Sequence, residues 1–248
     1  MRNIFLICFI LIFLLIIFKN YSIKMYNDIS IKHNDYLVVQ FDNRDFFTNI
    51  IELFTNSDFN KLIKINKEYC KNHNLDYIYT KTYDNSLPVY WMKVKIITDL
   101  INTTNYKGII WIDTDAVFTH ENKSILDIIN KNKSFYISTD PPEYNENILC
   151  VGTWIVKNNE VGSKIMNDWM NSYDPSLWIK ENNQWSTHTN WAGIAYEQGS
   201  FNKIIYPKYK NHIEVFPWYV FNNDIKENPN SYISHYMGPK KELINNHY

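Results

Sequence analysis

The chain has 248 residues, 45% hydrophobic and 17% aromatic, enough apolar mass for one sizeable core and too little for two ordinary domains besides an anchor. Its 25 basic and 26 acidic side chains leave a net charge of -1, which excludes the basic footprint of a nucleic-acid binder. Three cysteines without a Cys-x-x-Cys spacing argue against a zinc ribbon; Cys8 falls in the apolar N-terminus, leaving Cys70 and Cys150 as one candidate disulfide pair.

Ile4 to Phe18 is an unbroken apolar run between Arg2 and Lys19. Spanning a bilayer takes about twenty residues, a length that Met1, Tyr21 and the snorkelling Arg2 and Lys19 help to reach, so residues 1–20 read as a signal-anchor helix. A cleaved signal peptide competes with this reading, but no small-x-small site follows Phe18. Basic flanks on both sides leave the orientation undecided by charge. Residues 21–35 are a polar, aperiodic stem, and residues 36–248 the expected catalytic-size domain. Asn20, Asn102, Asn122 and Asn132 head Asn-x-Ser/Thr triplets that become glycan acceptors if this part is luminal.

The domain is expected to open with a strand, Tyr36–Phe41, running into Asp42-Asn43-Arg44. A helix capped by Ser57 follows toward Asn74, with Leu62, Ile65, Tyr69 and Ile63, Asn66, Cys70 at helical spacing, and then a strand, Asp76–Thr80. This right-handed βαβ unit puts Asp42 and Arg44 at a strand's carboxyl end, where Arg44 is a candidate nucleotide contact or else a solvated loop charge. Pro88 precedes a helix with Trp91, Val94, Ile97 and Ile101 on its core face and Lys93 off it, within reach of a phosphate or of solvent.

Gly108 to Phe118 is the stretch the rest is arranged around: an apolar run leading to Asp113 and Asp115, with Thr114 between them. Such a run reads as a strand buried on both faces in the middle of a parallel sheet, and ligands gather beyond the carboxyl ends of those strands. In extended chain positions i and i+2 project to one side, so the two acids crowd their charges at the edge of a dry core. A hard divalent cation relieves that repulsion and offers open positions to phosphates. Turn capping by either acid is the plainer alternative.

Beyond this, Ser124 is expected to cap a short helix to about Asn130, and Phe135–Thr139 to form a strand ending at Asp140. Ile148–Val156 reads as extended, with Gly152 marking close approach of a ligand or of backbone. A helix carrying Ile165, Met166, Trp169 and Met170 ends before Pro175, and a long polar loop runs from Trp178 to Asn190 with His188 as a candidate acceptor contact. Trp191–Ile205 reads as a helix with Glu197 and Gln198 early in it. Pro217–Asn222 and Ser231–Gly238 read as two extended segments, the second containing His235 and followed by Lys240 and Lys241.

In order and spacing, Tyr90-Trp91-Met92-Lys93, Trp111-Ile112-Asp113-Thr114-Asp115-Ala116, Gly152 to Asn158, Glu197-Gln198, Phe221-Asn222 and His235-Tyr236-Met237-Gly238 resemble the galactosyl/mannosyl transferase family, glycosyltransferase family 34. The resemblance covers roughly Tyr36 to Lys241. It implies a GT-A fold, a Rossmann-like α/β/α sandwich with a mainly parallel central sheet behind an N-terminal transmembrane helix, as a single-pass type II membrane protein of the Golgi lumen that can join complexes with other glycosyltransferases. It implies retaining transfer of galactose, mannose or xylose from a nucleotide-diphosphate sugar donor to a glycan or glycoprotein acceptor, with Mn²⁺ as cofactor. Asp113, Asp115 and His235 match the metal ligands, and a mixed oxygen and imidazole set suits Mn²⁺ on ligand preference alone. Gly152 and Glu197-Gln198 match residues lining the sugar site, and His235, Gly238 and Lys241 match a His-x-x-Gly-x-x-Lys ending whose lysine meets the diphosphate. Asp42, Arg44, Lys93 and Thr114 complete the candidate donor-binding set; Gln198 is expected to support the oxocarbenium-like centre, and Glu197 or Asp140 to position sugar hydroxyls. The family pattern has Asn-x-Gly and Arg-Asn near the donor sugar where this chain has Cys150-Val151-Gly152 and Lys157-Asn158. Those departures keep open a catalytically silent, glycan-binding or complex-supporting membrane subunit. A metal-dependent hydrolase is disfavoured, since no further acids or histidines stand at suitable spacing.

Overall fold

A computed structural model describes residues 34–43, 58–81, 85–129, 132–225 and 228–248. The expected anchor, most of the stem, Arg44 and the Ser57 cap lie outside the described residues. The first strand, β1 (Tyr36–Phe41), is an apolar run buried at all but its first residue. It is followed by α1 (Asp58–Asn72), which turns Leu62, Asn66, Tyr69 and Cys70 inward, and by β2 (Asp76–Thr80). Asn74, at φ 53°, makes the left-handed bend between them, a conformation that Asn tolerates. Helix α2 (Val89–Thr103) starts after Pro88, and β3 (Gly108–Ile112) is buried at all five residues. The remaining strands of the main sheet are β5 (Phe135–Thr139), β6 (Leu149–Lys157) and β9 (Ile213–Phe216), with α3 (Glu160–Asn171) after β6.

The sheet order is β2-β1-β3-β6-β5-β9. Pairings β1–β2, β1–β3 and β5–β9 are parallel, whereas β6 runs antiparallel to both β3 and β5. The expectation that β3 sits between parallel neighbours is therefore corrected on one side. The loop after β5 contains no crossover helix, so β6 must return in the opposite direction. Alternate residues feed two cores: Leu37, Val39, Ile109 and Trp111 pack with α2 and α3, and Val38, Ile110 and Ile112 pack with Tyr69, Cys70 and Phe221. Helices on both faces of a mostly parallel sheet make the α/β sandwich expected. Cys70 and Cys150 are both free and buried.

Several segments differ from their sequence expectation. The chain turns at Asp113–Ala116 and leaves the main sheet, so Ala116–Phe118 becomes a separate strand, β4, paired antiparallel with β10 (Ile233–His235). The loop expected from Trp178 to Asn190 contains a hairpin, β7 (Ile179–Glu181) with β8 (Gln184–Ser186), whose turn residues Asn182 and Asn183 both have positive φ, the backbone a two-residue hairpin turn demands. The helix expected from Trp191 starts only at Glu197, as α4 (Glu197–Ser200), a π turn (Phe201–Ile205) and α5 (Tyr206–Tyr209). Trp218–Val220 and Gly238–Leu243 are 3₁₀ turns where extended chain was expected for the first and for the start of the second, and α6 (Ile244–His247) closes the chain.

Candidate active site

The site is built on the turn at the carboxyl end of β3. Ala116 donates its N–H to the Asp113 carbonyl at 3.0 Å, Asp113 donates its own to the Gly152 carbonyl at 2.8 Å, and Thr114 is the half-buried residue within the bend. The turn rests on buried amides. Gln40 Nε2 donates to the Asp113 carbonyl at 3.0 Å, and Asn66 Nδ2 donates to Gln40 Oε1 at 3.2 Å and to the Ala116 carbonyl at 3.0 Å. Phe118 N–H donates to Asn66 Oδ1 at 3.0 Å, and the Tyr77 hydroxyl also donates to Gln40 Oε1. Buried polar groups satisfied in this way hold one arrangement of the turn. The two acids are thus brought close by a turn and not by the extended strand of the i, i+2 argument, with Asp113 paired to Lys93 and Asp115 to His235 and Lys241.

Asp113 accepts from Trp111 Nε1 at 2.7 Å and from Lys93 Nζ at 3.0 and 3.2 Å. Lys93 is buried and also lies 3.5 Å from Glu197 Oε1. Burial works against its charge, but Asp113 and Glu197 outweigh that and hold the ammonium more basic than an ordinary lysine. Lys93 therefore faces two carboxylates here rather than open solvent.

Asp115 Oδ1 lies 3.2 Å from His235 Nε2, and its Oδ2 lies 3.1 Å from Lys241 Nζ. The β4–β10 pairing, with His235 opposite Ala116, delivers the imidazole; the Tyr236 N–H then donates to the Asp115 carbonyl at 2.9 Å. Burial would raise the Asp115 carboxyl, but His235 and Lys241 overcome it and hold the acid well below the usual carboxylate range. Asn222 Nδ2 donates to Ser138 Oγ at 2.9 Å and to the Thr139 carbonyl at 2.8 Å, which leaves its Oδ1, 3.0 Å from His235 Nδ1, as an acceptor. His235 therefore carries a proton on Nδ1, and its neutral form presents a lone pair on Nε2. Donor atoms of Asp113, Asp115 and His235 all lie within 4.8 Å of one another. Two carboxylates and a correctly oriented imidazole fit a divalent ion such as Mn²⁺.

Glu197 is held by its backbone. Trp169 Nε1 donates to the Glu197 carbonyl at 3.0 Å, and Trp91 and Trp178 Nε1 donate to the preceding Ala195 carbonyl but one, at 2.8 and 3.1 Å. Burial lifts the Glu197 carboxyl above its ordinary value despite Lys93, and its Oε2 has no hydrogen-bond partner. Gln198 accepts from the Val151 N–H at 3.2 Å and donates to Asp140 Oδ2 at 3.2 Å. Asp140 is buried, which raises its carboxyl too. Gly152 meets the site through His235, whose ring occupies the space of the missing side chain.

Gly238, at φ 54°, opens the 3₁₀ turn that separates two lysines. Lys240 pairs with Glu143 and Asp224, and Lys241 faces Asp115. Asp42 is buried and accepts from the Tyr79 hydroxyl at 2.6 Å. Cys150 lies beside Asp140 and 3.9 Å from Met237 Sδ, whereas Lys157 is opposite Gly108, at the end of β3 away from Asp113. His188 is exposed in the bend after β8. Sequence reading assigned no role to Gln40, Asn66 or Asn222. The signal was available for the first two, an amide inside an apolar strand and another on an apolar helical stripe.

Over 85% of its length the chain is similar to 98% of a glycosyltransferase involved in glycosylation of the major capsid of PBCV-1, with a TM-score of 0.60 and 16% identity. A Drosophila β-1,4-galactosyltransferase 7 mutant in complex with manganese, UDP-Gal and xylobiose is a looser likeness, with a TM-score of 0.43 and 12% identity over 82% of this chain and 71% of that one. The fold is that of a GT-A glycosyltransferase. Residues 37–137, from β1 through the Asp113–Asp115 turn into β5, match the model of a glycosyltransferase family, galactosyl transferase GMA12/MNN10. No curated protein gives a significant match.

Proposed function

We propose that this chain is a retaining, Mn²⁺-dependent transferase that moves a galactose, mannose or xylose residue from a nucleotide-diphosphate sugar to a glycan hydroxyl. The observation that carries this reading is the convergence of Asp113, Asp115 and His235 at the rim of the sheet, with donor atoms within 4.8 Å. Bound there, the ion would neutralise charge developing on the departing diphosphate. Lys241 is assigned to the same diphosphate: its side chain is about half exposed, and an ion on Asp115 frees it from that carboxylate. Gln198 is assigned to the oxocarbenium-like centre, and Glu197 and Asp140 to sugar hydroxyls. Both acids are buried, and Glu197 keeps an oxygen able to accept. The apolar run Ile4–Phe18 supports membrane anchoring as a type II protein facing the Golgi or another secretory lumen, where a glycan or glycoprotein acceptor and other glycosyltransferases are met.

The test is release of nucleoside diphosphate from UDP-galactose, GDP-mannose and UDP-xylose, with Mn²⁺ and with chelator. Turnover of at least one donor should require the ion, and should fall by about a hundredfold or more in Asp113→Asn and in Asp115→Asn. Unchanged turnover in both variants, or full turnover in chelator, overturns the proposal.

A further inference from the structure

Each acid of the proposed metal centre is held by a lysine, and the two lysines are not alike. Lys93 is buried, and its ammonium is shared among Asp113, the Val151 carbonyl at 3.4 Å and Glu197 at 3.5 Å. Three acceptors around three N–H groups make it a fixed part of the interior. Lys241 is the opposite case. Its side chain is 48% exposed, with Nζ 3.1 Å from Asp115 Oδ2 and 5.7 Å from the centre of the Phe59 ring. The chain on either side of it is pinned: Lys240 pairs with Glu143 and Asp224, and Leu243 and Ile244 pack with Leu62, Val117 and Tyr236. A flexible four-carbon stem on a fixed backbone can swing its charge without moving the fold.

An ammonium on Asp115 Oδ2 occupies an oxygen of a proposed metal ligand and sets a positive charge where a divalent ion must come. Two cations drawn to one carboxylate repel each other, and they do so more strongly because Asp115 is only 14% exposed. Ion binding therefore works against Lys241 unless another group takes that charge. A diphosphate is such a group: its oxygens accept from an ammonium, for which lysine serves as a point charge, while they also ligate an ion.

We propose that Lys241 is a tethered stand-in for the ion: it neutralises Asp115 in the free chain, yields that place to Mn²⁺ and passes to the diphosphate, so that ion and donor bind cooperatively. This rests on the transferase reading and adds how its site fills. The test is calorimetry on the full chain, first with Mn²⁺ alone, then with inorganic pyrophosphate added to the chain in saturating Mn²⁺. Lys241→Met should bind Mn²⁺ alone about three- to tenfold more tightly than wild type, and pyrophosphate about tenfold more weakly. A merely structural role does not move the two affinities in opposite directions. Lys240→Met removes the same charge one residue away, from Glu143 and Asp224, and should leave both affinities within about twofold of wild type. Lys241→Gln supplies the comparison if Lys241→Met fails to give the wild-type circular dichroism spectrum. Equal or weaker Mn²⁺ binding by the Lys241 variant, unchanged pyrophosphate binding, or the same gain in Lys240→Met overturns the stand-in. Saturable Mn²⁺ binding that is equal in wild type and Lys241→Met sinks the stand-in alone, whereas no saturable Mn²⁺ binding by either chain sinks the transferase reading and the stand-in with it.

Discussion

The imidazole of His235 occupies the space that a side chain on Gly152 would need: a Cβ there would lie 2.1 Å from Cε1 and 2.9 Å from Nδ1. The ring has no easy retreat, being buried and hydrogen-bonded to Asn222 at 3.0 Å. Gly152→Ala should therefore displace a proposed metal ligand while adding one methyl group. We expect Mn²⁺ affinity to drop about 10- to 100-fold by calorimetry, and stability to fall by about 1–3 kcal/mol in urea. Wild-type Mn²⁺ affinity in this variant would show that the ring position is irrelevant to the ion.

Asn222 sets which nitrogen of His235 is offered. In Asn222→Ala the ring loses the acceptor on Nδ1, and Ser138 and the Thr139 carbonyl lose their donor. The expected outcome is an affinity loss of about 10- to 100-fold for Mn²⁺ in a chain that still folds. Equal Mn²⁺ titrations for wild type and variant would exclude this role.

His235 and Asp115 also predict a pH dependence. Burial pushes the imidazole down, but the Asp115 charge and hydrogen bond, helped by Asp113, outweigh it and raise the ring above its ordinary 6.5. A raised folded-state value gives stability that is full below 6.5 and is lost as pH rises through the folded value. Ion binding needs the neutral ring, so Mn²⁺ affinity should climb over the same interval in which the chelated protein weakens. Urea unfolding of chelated wild type against His235→Gln, from about pH 5.5 to about pH 8.5, checks this. A stability difference that does not change across that range contradicts the assignment.

Asn66 carries the turn without touching the proposed ion. Removing its amide in Asn66→Ala strands the Phe118 N–H, the Ala116 carbonyl and one bond to Gln40 in a dry interior. We expect a loss of about 3 kcal/mol in urea unfolding, with weaker Mn²⁺ binding as the turn loosens. A loss below about 0.5 kcal/mol would mean that the network relaxes freely.

Legibility followed the range of the interaction. Strands Tyr36–Phe41, Asp76–Thr80 and Phe135–Thr139 could be read to the residue, because apolar runs and their polar ends are local features. The hairpin at Asn182-Asn183 was missed because its strands are exposed and short, so burial imposed no pattern on them. The late start of α4 was missed because helical spacing does not reveal that two indoles, of Trp91 and Trp178, fix the Ala195 backbone just ahead of it as a loop.

By itself, the sequence determined the chemistry on offer: an apolar strand ending in acids, a distant imidazole and a basic C-terminal segment. Tertiary structure decided their meeting. A turn held by Gln40 and Asn66 sets Asp113 and Asp115 side by side, antiparallel pairing of β4 with β10 brings in His235, and β6 lends a glycine where that ring must fit. Strand direction and register are set by contacts between segments far apart in the chain, and no local periodicity encodes which of the allowed pairings buries the most apolar surface with every amide satisfied.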